Sequence, residues 1–158
     1  MKTLPICIAT LMLCAASVAQ ISDPILQSAQ MPTYPAVALL TVKEGDVKLS
    51  FVLDQNGNVA SVDILSGDPS LRAAAETVVR SWRFKLPAGL FRTEWRYETT
   101  FEYRFSGREL ESGQIATLVV TVDSFHHLKV VSDQVKPGAD SHIQVIVSPH
   151  VTPTIQKR

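Results

Sequence analysis

The side chains able to do chemistry in this chain are few and scattered. The four histidines are His126, His127, His142 and His150. His126 and His127 stand at an expected turn between two strands, where adjacent side chains tend to point apart. No cysteine and no close Asp/Glu cluster completes a ligand set around them at metal-binding spacing, so no metal site is expected. They read instead as solvated turn residues. Asp123 with His126 outlines a dyad, yet Ser124 lacks the strand-turn-helix setting that exposes a nucleophile. The 7 glycines each fit a turn or the end of an element, and none belongs to a phosphate-cradling loop. Arg80, Arg83 and Lys85 gather at the C-terminal end of an expected helix, where cations offset its dipole. No catalytic residue, no cofactor and no enzyme activity is expected.

The bulk composition bounds the alternatives. At 158 residues, with 46% hydrophobic and 19% charged residues, the chain has material for one packed domain. Its formal net charge is +0, and no stripe of Lys and Arg suggests a nucleic-acid partner. Lys2 is the one charge ahead of Asp23. It precedes the apolar run from Leu4 to Ala16 and then Ser17-Val18-Ala19-Gln20. A positive start, a short apolar stretch and small residues before the cut describe a secretory signal, residues 1–19, cleaved after Ala19. A retained inner-membrane anchor is the alternative, but crossing about 30 Å of hydrocarbon takes about 20 apolar residues, and this run is shorter and carries Pro5. Cys7 and Cys14 both lie inside that segment, so the processed chain has no thiol and no disulfide.

The elements that would position any functional group follow from periodicity. Residues 20–33 are polar and irregular, a flexible lead. Tyr34-Pro35 marks an extended lead-in, and Pro35 suits the opening of a short helical turn through Ala36 to Leu40. From Gly45 the period becomes two, with Val47, Leu49, Phe51 and Leu53 on one face of a strand. Asn56-Gly57 predicts a type I′ hairpin turn, and Val62 and Ile64 share one face of the return strand. Asp68-Pro69 caps and opens a helix whose inner face is Leu71, Ala74, Ala75, Val78 and Trp82. Pro87 and Gly89 end it. Residues 94–105 alternate cleanly, with Trp95, Tyr97, Thr99, Phe101, Tyr103 and Phe105 inward and Arg96, Glu98, Thr100, Glu102 and Arg104 outward. Further strands are expected at 115–122, 127–131 and 142–148, with a turn-rich loop from Asp133 to Ser141. Residues 106–148 form a β-rich extension and residues 149–158 a disordered tail.

Taken in order, Tyr34-Pro35, Ala38, Glu44-Gly45, Val47, Phe51, Leu53-Asp54, Gly57, Val59, Val62, Ile64, Ser66-Gly67, Leu71, Ala74-Ala75, Trp82-Arg83-Phe84 and Pro87 share a spacing. Over residues 34–105 this pattern resembles the TonB C-terminal domain family, with Tyr34, Pro35, Gly45, Gly57, Trp82, Phe84 and Pro87 as its motif positions. The resemblance implies an α+β fold: a hairpin and a third long strand in an antiparallel sheet, with a helix packed on one face. The periodicities ask for the same arrangement. The resemblance further implies that the domain meets outer-membrane receptors in the periplasm by strand addition, a receptor segment pairing with the open edge of the third strand. On this sequence that edge is Arg96, Tyr97, Glu98, Thr99, Thr100, Phe101, Glu102, Tyr103 and Arg104.

Two departures shape the functional expectation. A transducer of this family keeps a membrane helix and a long spacer. Here the lead before Tyr34 spans only about 50 Å even when extended at roughly 3.5 Å per residue. The extension is the other departure, and strand 115–122 is expected to fold back beside 94–105 and cover the receptor edge, leaving a new edge at 142–148. The sequence therefore predicts a periplasmic binding or adaptor module whose partner is an outer-membrane receptor or another envelope protein. An anchored energy transducer and a self-associating, homodimeric envelope protein are the alternatives, and a membrane enters only if the N-terminal segment is retained. The intact mass of the exported protein checks the first step: a soluble periplasmic species should begin at Gln20, whereas a membrane-bound species retaining Met1 would establish an anchor.

Overall fold

The computed structural model describes residues 23–87, 95–136 and 146–150. Its first structural unit is a hairpin of β2 (Gly45–Leu53) and β3 (Val59–Ser66), preceded by the short strand β1 (Ile25–Ser28) and helix α1 (Ala36–Leu40). Val47, Leu49, Phe51 and Leu53 are all buried, as the period-two pattern demands. The return strand lies at the sheet edge, so Val62 is only half-buried and Ile64 is exposed.

The connecting turn differs from the type I′ expected at Asn56-Gly57. Gly57 takes a positive φ of 80°, and Asn56 does not. The Asp54 carboxylate explains the change, because its Oδ1 accepts from the backbone N–H of both Asn56 and Asn58 at 2.8 Å. Collecting local donors in this way is what Asp does in turns, and it widens the loop. Hydrogen bonds from Asn58, side chain first, hold the Asp54 carboxyl below the usual range. Gly57 is needed twice over. Its φ suits glycine, and a Cβ there would fall 1.9 Å from the Phe84 carbonyl oxygen.

Helix α2 (Pro69–Arg80) starts where Asp68 accepts from the Ser70 N–H at 2.9 Å. It buries Leu71, Ala75, Val78 and Val79 against β2 and β3, with Ala74 half-buried at the margin. Trp82 lies just past the helix and is fully buried, edge-on to Phe51 at 5.5 Å. Strand β4 (Arg83–Lys85) then pairs antiparallel with β1. The lead at 20–33, expected to be irregular, therefore contains a strand. Four residues are too few to show a period, and main-chain bonding to β4, with Leu26 packed on the core, decides the conformation.

Strand β5 (Trp95–Leu110) runs through Ser106-Gly107, five residues past its expected end at 105. The remaining strands are β6 (Thr117–Ser124), β7 (His127–Val135) and β8 (Ile146–His150). The six-stranded sheet has the order β3-β2-β5-β7-β6-β8. Strand β6 was expected beside β5, but β7 takes that place and runs parallel to it. The reason is burial. Leu128, Val130, Ser132, Asp133 and Val135 are all buried on β7, the pattern of an interior strand, whereas β6 exposes Val119, Asp123 and Ser124. The loop expected from Asp133 likewise begins later. The Asp133 carboxylate is buried, accepting from Ser106 Oγ at 2.6 Å and from the Thr117 N–H at 3.0 Å, and so ties together β5, β6 and β7. Strand β8 reaches His150, into the stretch expected as tail, and residues 151–158 and the signal segment lie outside the described residues.

One core joins the family-like part to the extension. Phe51, Trp82, Phe84 and Phe101 cluster with Leu118, Val120, Phe125, Leu128 and Val130. Phe125, at the tip of the β6–β7 hairpin, packs edge-on to Phe84 at 5.2 Å and to Tyr97 at 5.6 Å. Phe125→Ala should therefore lower the unfolding free energy by about 3 kcal/mol in urea titrations, with one cooperative transition in both proteins. A loss below about 1 kcal/mol would mean that the hairpin tip packs only peripherally.

Candidate binding edge of the central strand

Strand β5 lies between β2 and β7, but its two partners cover different lengths. On one side β2 pairs antiparallel with it from Trp95 to Tyr103. On the other, β7 begins at Thr100, opposite His127, and pairs to Phe105, then again at Glu109 and Leu110. Of the nine residues expected to form a receptor edge, Thr100, Phe101, Glu102 and Tyr103 thus have strand neighbours on both sides, and Arg104 pairs with β7 alone. Arg96, Tyr97, Glu98 and Thr99 have β2 on one side and, among the described residues, no strand on the other.

The extension closes the edge, as expected, but with a different strand and only in part. Backbone groups alternate sides along a strand, so Arg96 and Glu98 direct theirs the same way as Thr100. The Thr100 N–H donates to the His126 carbonyl at 2.9 Å. The Glu98 carbonyl lies 2.9 Å from His126 Nδ1. His126 was expected to be a solvated turn residue. Half-exposed though it is, its ring touches the strand edge and lies 4.0 Å from the Phe125 ring. Nothing in the periodicity marks a turn side chain as a ladder partner. The signal present was Phe125, an aromatic residue in an otherwise polar turn.

The two faces of β5 differ as the alternation predicts. On the wet face, Arg96 Nη1 reaches Ser50 Oγ at 3.2 Å and Asp63 at 3.5 Å. Glu102 gathers Arg104, Lys129 and His127 within 3.5 Å, and Arg104 also meets Asp46 at 2.8 Å. These pairs are partly exposed, so each contributes little to stability. His127 also meets Asp123 at 3.1 Å, so the histidine beside Asp123 is His127 rather than His126. On the core face, Thr99, Phe101 and Tyr103 are fully buried.

The motif positions take part in the packing and turns of the fold. Tyr34 stacks on Phe105 at 5.1 Å and donates to the Lys43 carbonyl at 2.7 Å. Pro35 caps α1, Gly45 opens β2 with a φ of 147°, and Gly57 abuts Phe84. Trp82 and Phe84 are core, and Pro87 is half-buried. Among the described residues no group of three or more His, Cys, Asp or Glu is placed to hold a metal, and no helix is long and apolar enough to cross a membrane. His142 lies outside the described residues.

Residues 30–105 match the family model described as Gram-negative bacterial TonB protein C-terminal. This segment belongs to the TonB C-terminal domain family. Protein TonB of Yersinia enterocolitica is 35% identical over 88 residues, covering 54% of this chain and 32% of that protein. The chain thus spans about a third of the length of the relative it matches. The solution NMR structure of the Pseudomonas aeruginosa TonB CTD aligns with a TM-score of 0.44 at 23% identity, covering 53% of this chain and 88% of that one. The family match ends at residue 105, so β6, β7 and β8 fall beyond the TonB-family segment.

Within that segment Tyr34 packs against Tyr103 and Phe105 of β5, and its protonation reports on the packing. Burial, then the nearby Glu44 carboxylate, push its phenol up to about 12, and burial raises Tyr103 further. A phenol raised above its unfolded value of 10.0 contributes stability that is full below pH 10 and lost as pH climbs towards 12. Ultraviolet titration should show late-ionising tyrosine, with the component near pH 12 absent in Tyr34→Phe. Ionisation of Tyr34 near pH 10 in the folded protein would contradict this packing.

Proposed function

We propose that this chain is an envelope protein-interaction module of the TonB type, which takes up an extended segment of a protein partner as an added strand on β5. The partner is an outer-membrane receptor or another protein of the cell envelope, met in the periplasm. The register supports this reading: β7 begins only at Thr100, so β2 alone flanks Arg96–Thr99 among the described strands. A strand edge offers main-chain donors and acceptors that an extended peptide satisfies. Such a short stretch forms few hydrogen bonds, each worth about 1 kcal/mol net, which suits transient contact. On the wet face Arg96 and Glu98 favour partner residues of the opposite charges.

Glu98→Pro tests the mode directly. Proline removes one N–H from the open side of β5 and leaves the β2 pairing in place. A photo-crosslinking side chain at position 96, introduced into the exported protein in cells, should link to envelope proteins through an extended segment. With Glu98→Pro added, those links should fall at least severalfold while the melting temperature stays within a few degrees. Undiminished crosslinking in a folded Glu98→Pro protein would refute strand addition at this edge.

A further inference from the structure

Pairing of β7 with β5 starts at Thr100 opposite His127, yet one more rung of the ladder is occupied. Continued in register, the parallel ladder would bring the His126 main-chain N–H to the Glu98 carbonyl. That N–H instead donates to Ser124 Oγ at 3.2 Å, within the hairpin turn. The imidazole of the same residue takes its place, with Nδ1 2.9 Å from the Glu98 oxygen. A carbonyl only accepts, so Nδ1 carries the proton in this contact. The side chain of His126 thus supplies the donor that a neighbouring strand would supply through its backbone.

Resting on the strand-addition reading, we infer that His126 is an internal competitor for the partner: its ring holds the Glu98 carbonyl until an incoming strand provides a main-chain N–H. The ring is restrained weakly enough to leave. Its side chain is 45% exposed, and its Nε2 lies 3.9 Å from the Asp23 carboxylate. Among the described residues its ring contacts are with Phe125 at 4.0 Å and Tyr97 at 6.2 Å, both anchored by their own aromatic contacts. The acceptor it satisfies belongs to the part of β5 that β7 does not reach, so the extension both shortens the binding edge and guards its last position. A ligand must displace one hydrogen bond, which weakens binding by about two- to tenfold relative to an unguarded edge.

The probe is a capped nine-residue peptide of alternating threonine and valine, with glutamate and lysine replacing two threonines, titrated into the full chain by amide NMR. Wild-type protein should show shifts centred on the Arg96 and Glu98 amides. His126→Ala should bind the same peptide about fivefold more tightly at the same place. His126→Asn, which keeps a side-chain N–H at the position of Nδ1, should bind as the wild type does. His127→Ala, which touches Asp123 and Glu102 on the wet face, should leave affinity unchanged. Equal or weaker binding by His126→Ala, with Arg96 and Glu98 still responding, would overturn the competitor role and leave strand addition standing. Absence of any response at Arg96 and Glu98 in both proteins would overturn strand addition, and the competitor with it.

Discussion

The double pairing of β5 is the constraint from which the rest of the molecule follows. Sixteen residues of continuous strand carry β2 on one side and β7 on the other. Its core face buries Trp95, Thr99, Phe101 and Tyr103, and Trp82 stacks on Phe101 at 6.1 Å. With hydrogen bonds on both sides and aromatics on one face, β5 is the element on which the TonB-family segment and the extension are both built. Detaching either neighbour would expose strand hydrogen bonds and large rings together.

The offset between the two neighbours decides how much of β5 is paired on both sides. An open strand edge is a hazard unless charged, kinked or covered. Here β7 covers β5 from Thr100 onward, and the bulge around Gly107, with a φ of 81°, ends the regular stretch. The coverage is not a loose flap. Phe125, Leu128 and Val130 belong to the same core as Phe51 and Trp82, so exposing that edge would mean opening the core itself. The outer edges of the sheet have moved to β3 and β8. Against that background, β7 stops short of Arg96–Thr99, and the β6–β7 hairpin marks the point where its pairing begins.

Amphipathic elements were legible because one face meets the core and the other meets water. Val47 to Leu53 and Trp95 to Phe105 alternate for this reason, and Leu71, Ala75 and Val78 recur at helical spacing. Elements with weak patterns were not legible. Strand β1 is too short to show a period, and the Gly57 turn was set by the Asp54 carboxylate rather than by the Asn-Gly pair. Strand β7 reads as an ordinary amphipathic strand, and its interior place depends on which neighbours share its burial.

By itself, then, the sequence determined the family of residues 30–105, the faces of the main strands and helix, and the absence of cysteine beyond Cys14. These are local properties, carried by spacing and by the apolar or polar character of successive residues. Only the tertiary structure decided that β7 rather than β6 lies beside β5, that its cover begins at Thr100, and that the ring of His126 reaches Glu98. Strand order and register depend on which buried faces fit together across the whole core. The same β6–β7 hairpin seated two residues further along β5 would keep its buried and exposed faces and move the edge elsewhere.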